Sequence, residues 1–141
     1  MPHPLATASW LNPPAEHHIT GDAITIVTQP RTDFWQGTFY GFRTANAPAA
    51  LIEVRDNVTF SVRVRADYRR RYDQAGIIVW LDEDNWFKAS VEHEDSAGGR
   101  LGSVVTTAGH SDWATRDVPS LPHVWFRLSR RGPDFLLEAR T

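Results

Sequence analysis

Tyr72-Asp73-Gln74-Ala75-Gly76-Ile77-Ile78-Val79-Trp80-Leu81, then Asp82-Glu83-Asp84-Asn85, then Trp86-Phe87-Lys88-Ala89-Ser90-Val91-Glu92-His93-Glu94, is the stretch that decides the fold. Two runs rich in Val, Ile, Trp and Phe flank a polar tetrapeptide, which is the pattern of a β-hairpin. Ala75 to Leu81 forms the first arm, Asp82-Glu83-Asp84-Asn85 the turn, and Trp86 to Glu94 the second arm. Side chains alternate between the faces of a strand, so Phe87, Ala89 and Val91 share one face and Trp86, Lys88, Ser90 and Glu92 the other. The first set is core. The second sets an aromatic ring, a cation, a hydroxyl and a carboxylate in one row, as a binding surface would.

With a four-residue turn, Leu81 faces Trp86, Trp80 faces Phe87, Val79 faces Lys88 and Ile78 faces Ala89. Trp80, Ile78 and Gly76 then join the buried face, and Leu81, Val79 and Ile77 join the polar row. A bulge or a turn of another length would flip one arm relative to the other.

Around this hairpin the chain is of ordinary composition. Its 141 residues suit one domain with a proper core, expected as an extended segment over residues 1–20 followed by a sandwich over residues 21–141. A formal net charge of −2 gives no electrostatic reason to expect nucleic acid or an anionic membrane. There is no cysteine, which excludes disulfides and thiolate chemistry. Met1-Pro2-His3-Pro4-Leu5 has neither a basic n-region nor an apolar run, and no segment is long enough to span a bilayer. A cytoplasmic location is the default, although a domain cut from a larger secreted protein would look the same. The six tryptophans serve a sandwich core and a sugar-stacking surface equally well.

Upstream, Trp10-Leu11-Asn12-Pro13-Pro14 reads as extended, since adjacent prolines forbid a helix or a central strand. Glu16-His17-His18 invites a metal reading, but neighbouring histidines on a strand point to opposite faces, so an exposed segment is favoured. Ala23 to Thr28 reads as a strand after the Gly21-Asp22 turn. Thr32-Asp33-Phe34-Trp35-Gln36-Gly37 reads as an aromatic loop, either a plug for the sandwich or a platform at the rim of a site. Ala50 to Val54 and Val58 to Ala66 read as strands across Asp56-Asn57, the second with Phe60, Val62 and Val64 on its inner face. Tyr68-Arg69-Arg70-Arg71-Tyr72 is a basic, solvated connection whose charge nearby acids cancel.

Downstream, Ser96-Ala97-Gly98-Gly99 reads as a turn and Arg100 to Thr107 as a strand. Gly109-His110-Ser111-Asp112-Trp113 reads as a loop with an exposed aromatic. Val124 to Ser129 and Phe135 to Arg140 are strands joined by the turn Arg130-Arg131-Gly132-Pro133-Asp134. No helical period interrupts Gly21 to Arg140. Eight or more strands with polar turns predict an all-β sandwich.

Asp33-Phe34-Trp35, Tyr72-Asp73-Gln74-Ala75-Gly76, Trp86-Phe87-Lys88 with Glu92, Ser103-Val104-Val105-Thr106, Ser111-Asp112-Trp113 and Trp125 with Arg127 occur in this order. The ordered set, from about Trp10 onward, resembles the regulation-of-enolase-like domain family of largely unknown function, within the concanavalin A-like lectin/glucanase superfamily. It is also similar to the C-terminal accessory sandwich domain of some β-xylosidases. The resemblance implies a jelly-roll sandwich of two curved antiparallel sheets whose concave face binds saccharide in relatives. The family's pattern continues past its last strand with a further strand-turn-strand segment. This sequence stops at Leu136-Leu137-Glu138-Ala139-Arg140-Thr141, which implies either a C-terminally truncated sandwich or a partner that completes the sheet.

The resemblance maps ligand-binding positions onto Asp73, Gln74, Lys88 and Glu92, with Trp35, Tyr72, Trp86 and Trp113 as aromatics. A pyranose has an apolar face for tryptophan and hydroxyls for fixed amides, carboxylates and ammonium groups. The bland alternative for Lys88 and Glu92 is a cross-strand ion pair worth little when exposed. Hydrolysis would need two carboxyl groups roughly 5–5.5 Å apart for retention or roughly 6.5–9.5 Å for inversion. Glu92 and Asp73 are placed to face each other across the arms, but the paired acids on one strand typical of superfamily glucanases are not reproduced, because Lys88 shares the face of Glu92 and Glu94. Asp82-Glu83-Asp84-Asn85 is rich in oxygen ligands yet lacks the glycine and spaced acids of a calcium loop. The expectation is therefore a non-catalytic carbohydrate- or polyol-binding domain without metal or cofactor. Its partners would be a saccharide or polyol, with neither nucleic acid nor membrane, and a second copy through exposed sheet edges. A protein-interaction domain and a glycoside hydrolase are the alternatives.

Overall fold

The computed structural model describes residues 3–95 and 98–141. They form two compact units, Met1–Arg55 and Asp56–Thr141.

The first unit opens with a 3-10 turn, Pro4–Thr7, and is otherwise three two-stranded ribbons. β1 (Ser9–Leu11) pairs with β6 (Ala49–Leu51), β2 (Glu16–Thr20) with β3 (Ala23–Val27), and β4 (Phe34–Gln36) with β5 (Arg43–Ala45), all antiparallel. Glu16, His17 and His18 lie on the exposed strand β2, and the His17 ring centre stands 4.7 Å from that of Trp10. Two expectations change. Phe34-Trp35-Gln36 is a buried strand rather than a loop, because its backbone pairs with Arg43–Ala45. Ala49–Leu51 pairs with β1 and not with the strand that follows it.

The second unit is an all-β sandwich. β8 (Gln74–Asp82), β9 (Asn85–Glu94), β10 (Gly98–Thr107) and β11 (His110–Pro119) form a four-stranded sheet in the order β11-β10-β9-β8. β7 (Val58–Val64), β12 (Val124–Arg131) and β13 (Asp134–Arg140) form a three-stranded sheet in the order β13-β12-β7. The core lies between these two sheets. Ala89, Val91, Leu101 and Val118 from the first meet Val124 and Phe126 from the second, with Val62, Val64, Ile77 and Leu137 packed around them. These residues are the inward positions of alternating strands, and their burial is the main stabilising term. Phe87 joins the same side, its ring edge on Phe135 with centres 5.2 Å apart.

The hairpin register differs from the sequence expectation. Asp82 pairs with Asn85, so the turn is Glu83-Asp84, and a bulge at Leu81 follows. Trp80 therefore faces Trp86, Val79 faces Phe87, Ile78 faces Lys88 and Ile77 faces Ala89. The bulge moves the first arm by one residue, so Ile77 and Val79 turn to the core while Trp80, Ile78 and Gly76 join the polar row. Leu81 is left 70% exposed. Asp82 secures the turn by accepting from the Asp84 N–H and the Asn85 side-chain amide, both at 2.9 Å. The oxygen-rich tetrapeptide thus spends part of its acceptor capacity on itself.

His110–Pro119 is the other large correction. The expected loop at Gly109–Trp113 is instead the start of a ten-residue strand. Gly98 and Gly99 belong to β10 rather than to a turn, and Ser96 and Ala97, the rest of that expected turn, lie outside the described residues. No described helix is long and apolar enough to cross a membrane.

Candidate functional site

The face of the four-stranded sheet turned away from its core can be read from register alone. Paired residues share a face, so four rows cross the strands from β8 to β11: Gln74, Glu92, Arg100, Asp117; then Gly76, Ser90, Gly102, Thr115; then Ile78, Lys88, Val104, Trp113; then Trp80, Trp86, Thr106, Ser111. The first row is charged or amide-bearing. The second consists of small residues throughout. The third and fourth carry the rings and aliphatic groups.

Burial divides the face. Trp86 is 2% exposed, and Val104, Thr106 and Ser111 are buried beside it. The Thr106 and Ser111 hydroxyls lie 2.7 Å apart and satisfy each other. The Trp86 N–H donates to the Glu83 carbonyl at 3.1 Å. Toward the first two rows the sheet opens, and Gly76, Thr115 and Asp117 are exposed.

A polar network links the rows. Lys88 is 9% exposed. Its ammonium group donates to Gln74 Oε1 at 3.1 Å, and the Ser90 hydroxyl donates to the same oxygen at 3.3 Å. The ammonium also stands 5.9 Å from the Trp86 ring centre, within range of a cation–π attraction. At the other edge the Arg100 guanidinium lies 5.7 Å from the Trp113 ring centre, with Nε 3.4 Å from Glu94 and 3.9 Å from Asp117. Arg71 reaches Glu94 at 2.9 Å and is held further toward its protonated form by that carboxylate.

Small residues let the strands and the indole come close. A Cβ added at Gly102 would meet the Ala114 carbonyl oxygen at 2.7 Å and Trp113 Nε1 at 3.0 Å. At Gly76 an added Cβ would overlap the Ala89 carbonyl.

Of the residues singled out from the sequence, Gln74, Trp86, Lys88, Glu92 and Trp113 share this face. Trp113 is half-buried within β11 rather than exposed on a loop. Tyr72 and Asp73 precede β8. Tyr72 adopts φ +74° and is capped by the Arg71 guanidinium, 4.7 Å from its ring centre. Asp73 Oδ2 accepts the backbone N–H groups of Arg69 and Arg70 at 2.9 and 3.0 Å, which fastens the basic connection. Gln74, not Asp73, is the partner of Glu92, so the Glu92–Asp73 carboxylate pair considered for hydrolysis does not form across the strands. Trp35 belongs to the first unit, where it is buried and its N–H donates to the Thr38 carbonyl at 3.0 Å.

Sequence reasoning did not pick out Arg100, Gly102, Thr115 and Asp117. Arg100 and Gly102 were legible, because alternation along Arg100 to Thr107 puts them on the face of Val104 and Thr106. Thr115 and Asp117 were hidden because the start of their strand, residues 109–113, was read as a loop and the residues after it drew no reading.

Residues 10–141 match the family described as a protein of unknown function, DUF1349. Over 111 residues, 79% of this chain, the sequence is 40% identical to Regulation of enolase protein 1 of Saccharomyces cerevisiae (strain ATCC 204508 / S288c), and the match takes in 55% of that protein. The chain therefore spans about half the length of this curated relative. A crystal structure of a functionally unknown protein from Saccharomyces cerevisiae is similar at a TM-score of 0.88 and 34% identity, covering 96% of this chain and 72% of that one.

Proposed function

From a chain that belongs to the DUF1349 family, whose description leaves activity open, we propose a non-catalytic carbohydrate- or polyol-binding domain that works through the outer face of its four-stranded sheet. The reading goes with a concanavalin A-like sandwich, in which that face is the concave one. The observation that carries it is the double hydrogen bond onto Gln74 Oε1 from Lys88 and Ser90, beside the small row Gly76, Ser90, Gly102, Thr115.

A network of this kind holds an amide in one orientation before a ligand arrives, which removes part of the ordering cost of binding. The small row lets the Trp113 indole lie close to the sheet at Gly102, and its Ser90 and Thr115 hydroxyls are offered to a polyol. Gln74, Ser90, Glu92 and Arg100 supply donors and acceptors on one side, and Trp113 supplies an apolar surface on the other. Trp86 is too buried to stack on a ligand; its part is to back the Lys88 ammonium. Calorimetric titration with a panel of neutral and acidic mono- and oligosaccharides and linear polyols tests the proposal. Binding that Trp113→Ala and Gln74→Ala both weaken supports it. Silence across the panel, with folded protein, sinks it.

A second reading rests on the 40% identity to Regulation of enolase protein 1: the domain takes part in the regulation of an enolase. Its test is an enolase assay with and without purified domain, paired with a direct binding measurement. An unchanged rate and no binding would remove it.

A further inference from the structure

β13 is an edge strand of the three-stranded sheet, with β12 as its ladder partner among the described residues. Edge strands are usually blunted by proline, by charged side chains, lysine above all, or by a bulge; the charges of β13, Asp134, Glu138 and Arg140, are of both signs. Asp134–Arg140 contains no proline or lysine, and its register with β12 is continuous over all seven residues. It also leaves Phe135 41% and Leu136 57% exposed. β11, an edge of the other sheet, ends on Pro119 and buries Val118.

We propose that β13 pairs with β13 of a second copy of this chain, antiparallel and centred on Leu137, joining two three-stranded sheets into one of six strands. The sequence Asp134-Phe135-Leu136-Leu137-Glu138-Ala139-Arg140 complements itself when reversed. Centred on Leu137, Asp134 stands opposite Arg140, Phe135 opposite Ala139 and Leu136 opposite Glu138, and the two-fold axis repeats each pairing. Opposite charges directly across a ladder stabilise it, and like charges oppose it. Centring on Leu136 would set Asp134 against Glu138, and centring on Glu138 would set that carboxylate against itself. Charge therefore selects Leu137 from its neighbours two registers apart.

The faces also match. Register with β12 puts Phe135, Leu137 and Ala139 on the side of Phe126 and Leu128, and Asp134, Leu136, Glu138 and Arg140 on the side of Trp125 and Arg127. The two-residue period carries each set onto its counterpart in the second copy, so both sheet faces continue across the junction. Arg140 is already steadied, with its guanidinium 5.7 Å from the Trp125 ring centre. Glu138 is held by Arg127 at 2.8 and 3.0 Å. The side chains along the edge are thus partly ordered before a partner arrives.

Sedimentation equilibrium of the whole chain over a range of concentrations tests the pairing, independently of any saccharide. The expected result is a dimer that Asp134→Arg and Arg140→Asp each weaken by about tenfold or more, and that the double variant, with both charges exchanged, restores. Circular dichroism and thermal melts confirm that each variant is folded; these positions are exposed. A monomer at every concentration overturns the proposal. So does a dimer indifferent to the single reversals, or a double variant as weak as the singles.

Discussion

Lys88 of β9 and Gln74 of β8 are joined across the sheet by a 3.1 Å hydrogen bond from the ammonium group to Oε1, which also accepts from Ser90. The bond crosses the row of small residues, so it ties the charged row to the aromatic one. Replacing Lys88 by Met keeps the packing of the stem but removes the charged donor. Stability is expected to fall by about 1–3 kcal/mol, the range for a buried polar group that loses a charged partner. Urea unfolding measures the loss. A drop below a few tenths would mean the bond is not formed in solution.

The closeness of Trp113 to Gly102 leads to a second expectation. Alanine at position 102 brings a methyl group to 2.7 Å from the Ala114 carbonyl and 3.0 Å from the indole nitrogen. The β11 backbone at Ala114 must shift, and the indole must give with it, at a cost of about 1–3 kcal/mol. A lowered urea midpoint with an altered emission maximum is the expected pair of readings. An unchanged spectrum would show that Trp113 does not lie against this glycine.

The bulge makes Leu81 dispensable. At 70% exposure it buries little apolar surface, so Leu81→Ser is expected to change stability by no more than about 0.5 kcal/mol. In the four-residue-turn register Leu81 would stand beside Trp86 and matter more. A loss above about 1.5 kcal/mol in thermal or urea unfolding would favour that register.

Tyr68 sets an alkaline signature. Burial, with a further push from the Asp73 carboxylate, raises its phenol to about 12. The folded state therefore holds a proton that the unfolded state releases near its ordinary value of about 10. This contribution is fully present below pH 10 and disappears as pH rises from about 10 to about 12. Its size is about 1–2 kcal/mol after allowing for the solvent that reaches the half-buried ring. Tyr68→Phe should be less stable near pH 8, where it lacks the bond to the Val91 carbonyl, and should lose less than the wild type between pH 10 and 12. Parallel slopes for the two proteins would contradict the burial of the phenol.

The fold class was legible because alternation is local. Val62 and Val64, Ala89 and Val91, and Val124 and Phe126 repeat at a spacing of two and end up between the sheets. What escaped the sequence depended on partners far along the chain. Phe34-Trp35-Gln36 is only three residues and becomes a strand by pairing with Arg43–Ala45. His110–Pro119 carries polar residues on both faces, Ser111, Thr115 and Asp117 on one and Asp112 and Arg116 on the other, and gains its strand identity from β10. The bulge at Leu81 left no mark in the composition: Asp82 opposite Asn85 keeps the expected register, and the one extra residue at Leu81 shifts the rest of the arm. The candidate site was half visible for the same reason. Lys88, Ser90 and Glu92 lie on one strand, whereas Arg100, Thr115 and Asp117 join them only through the register of β10 and β11.

The most direct measurement of the proposed function is the melting temperature and tryptophan emission of the wild type and of Gln74→Ala across a panel of saccharides and polyols. A ligand that binds the folded state alone must raise the melting temperature. The expected result is a rise and an emission change with one ligand class, both lost in Gln74→Ala. A cooperative melt that no sugar or polyol moves would contradict a carbohydrate-binding role for this sheet face.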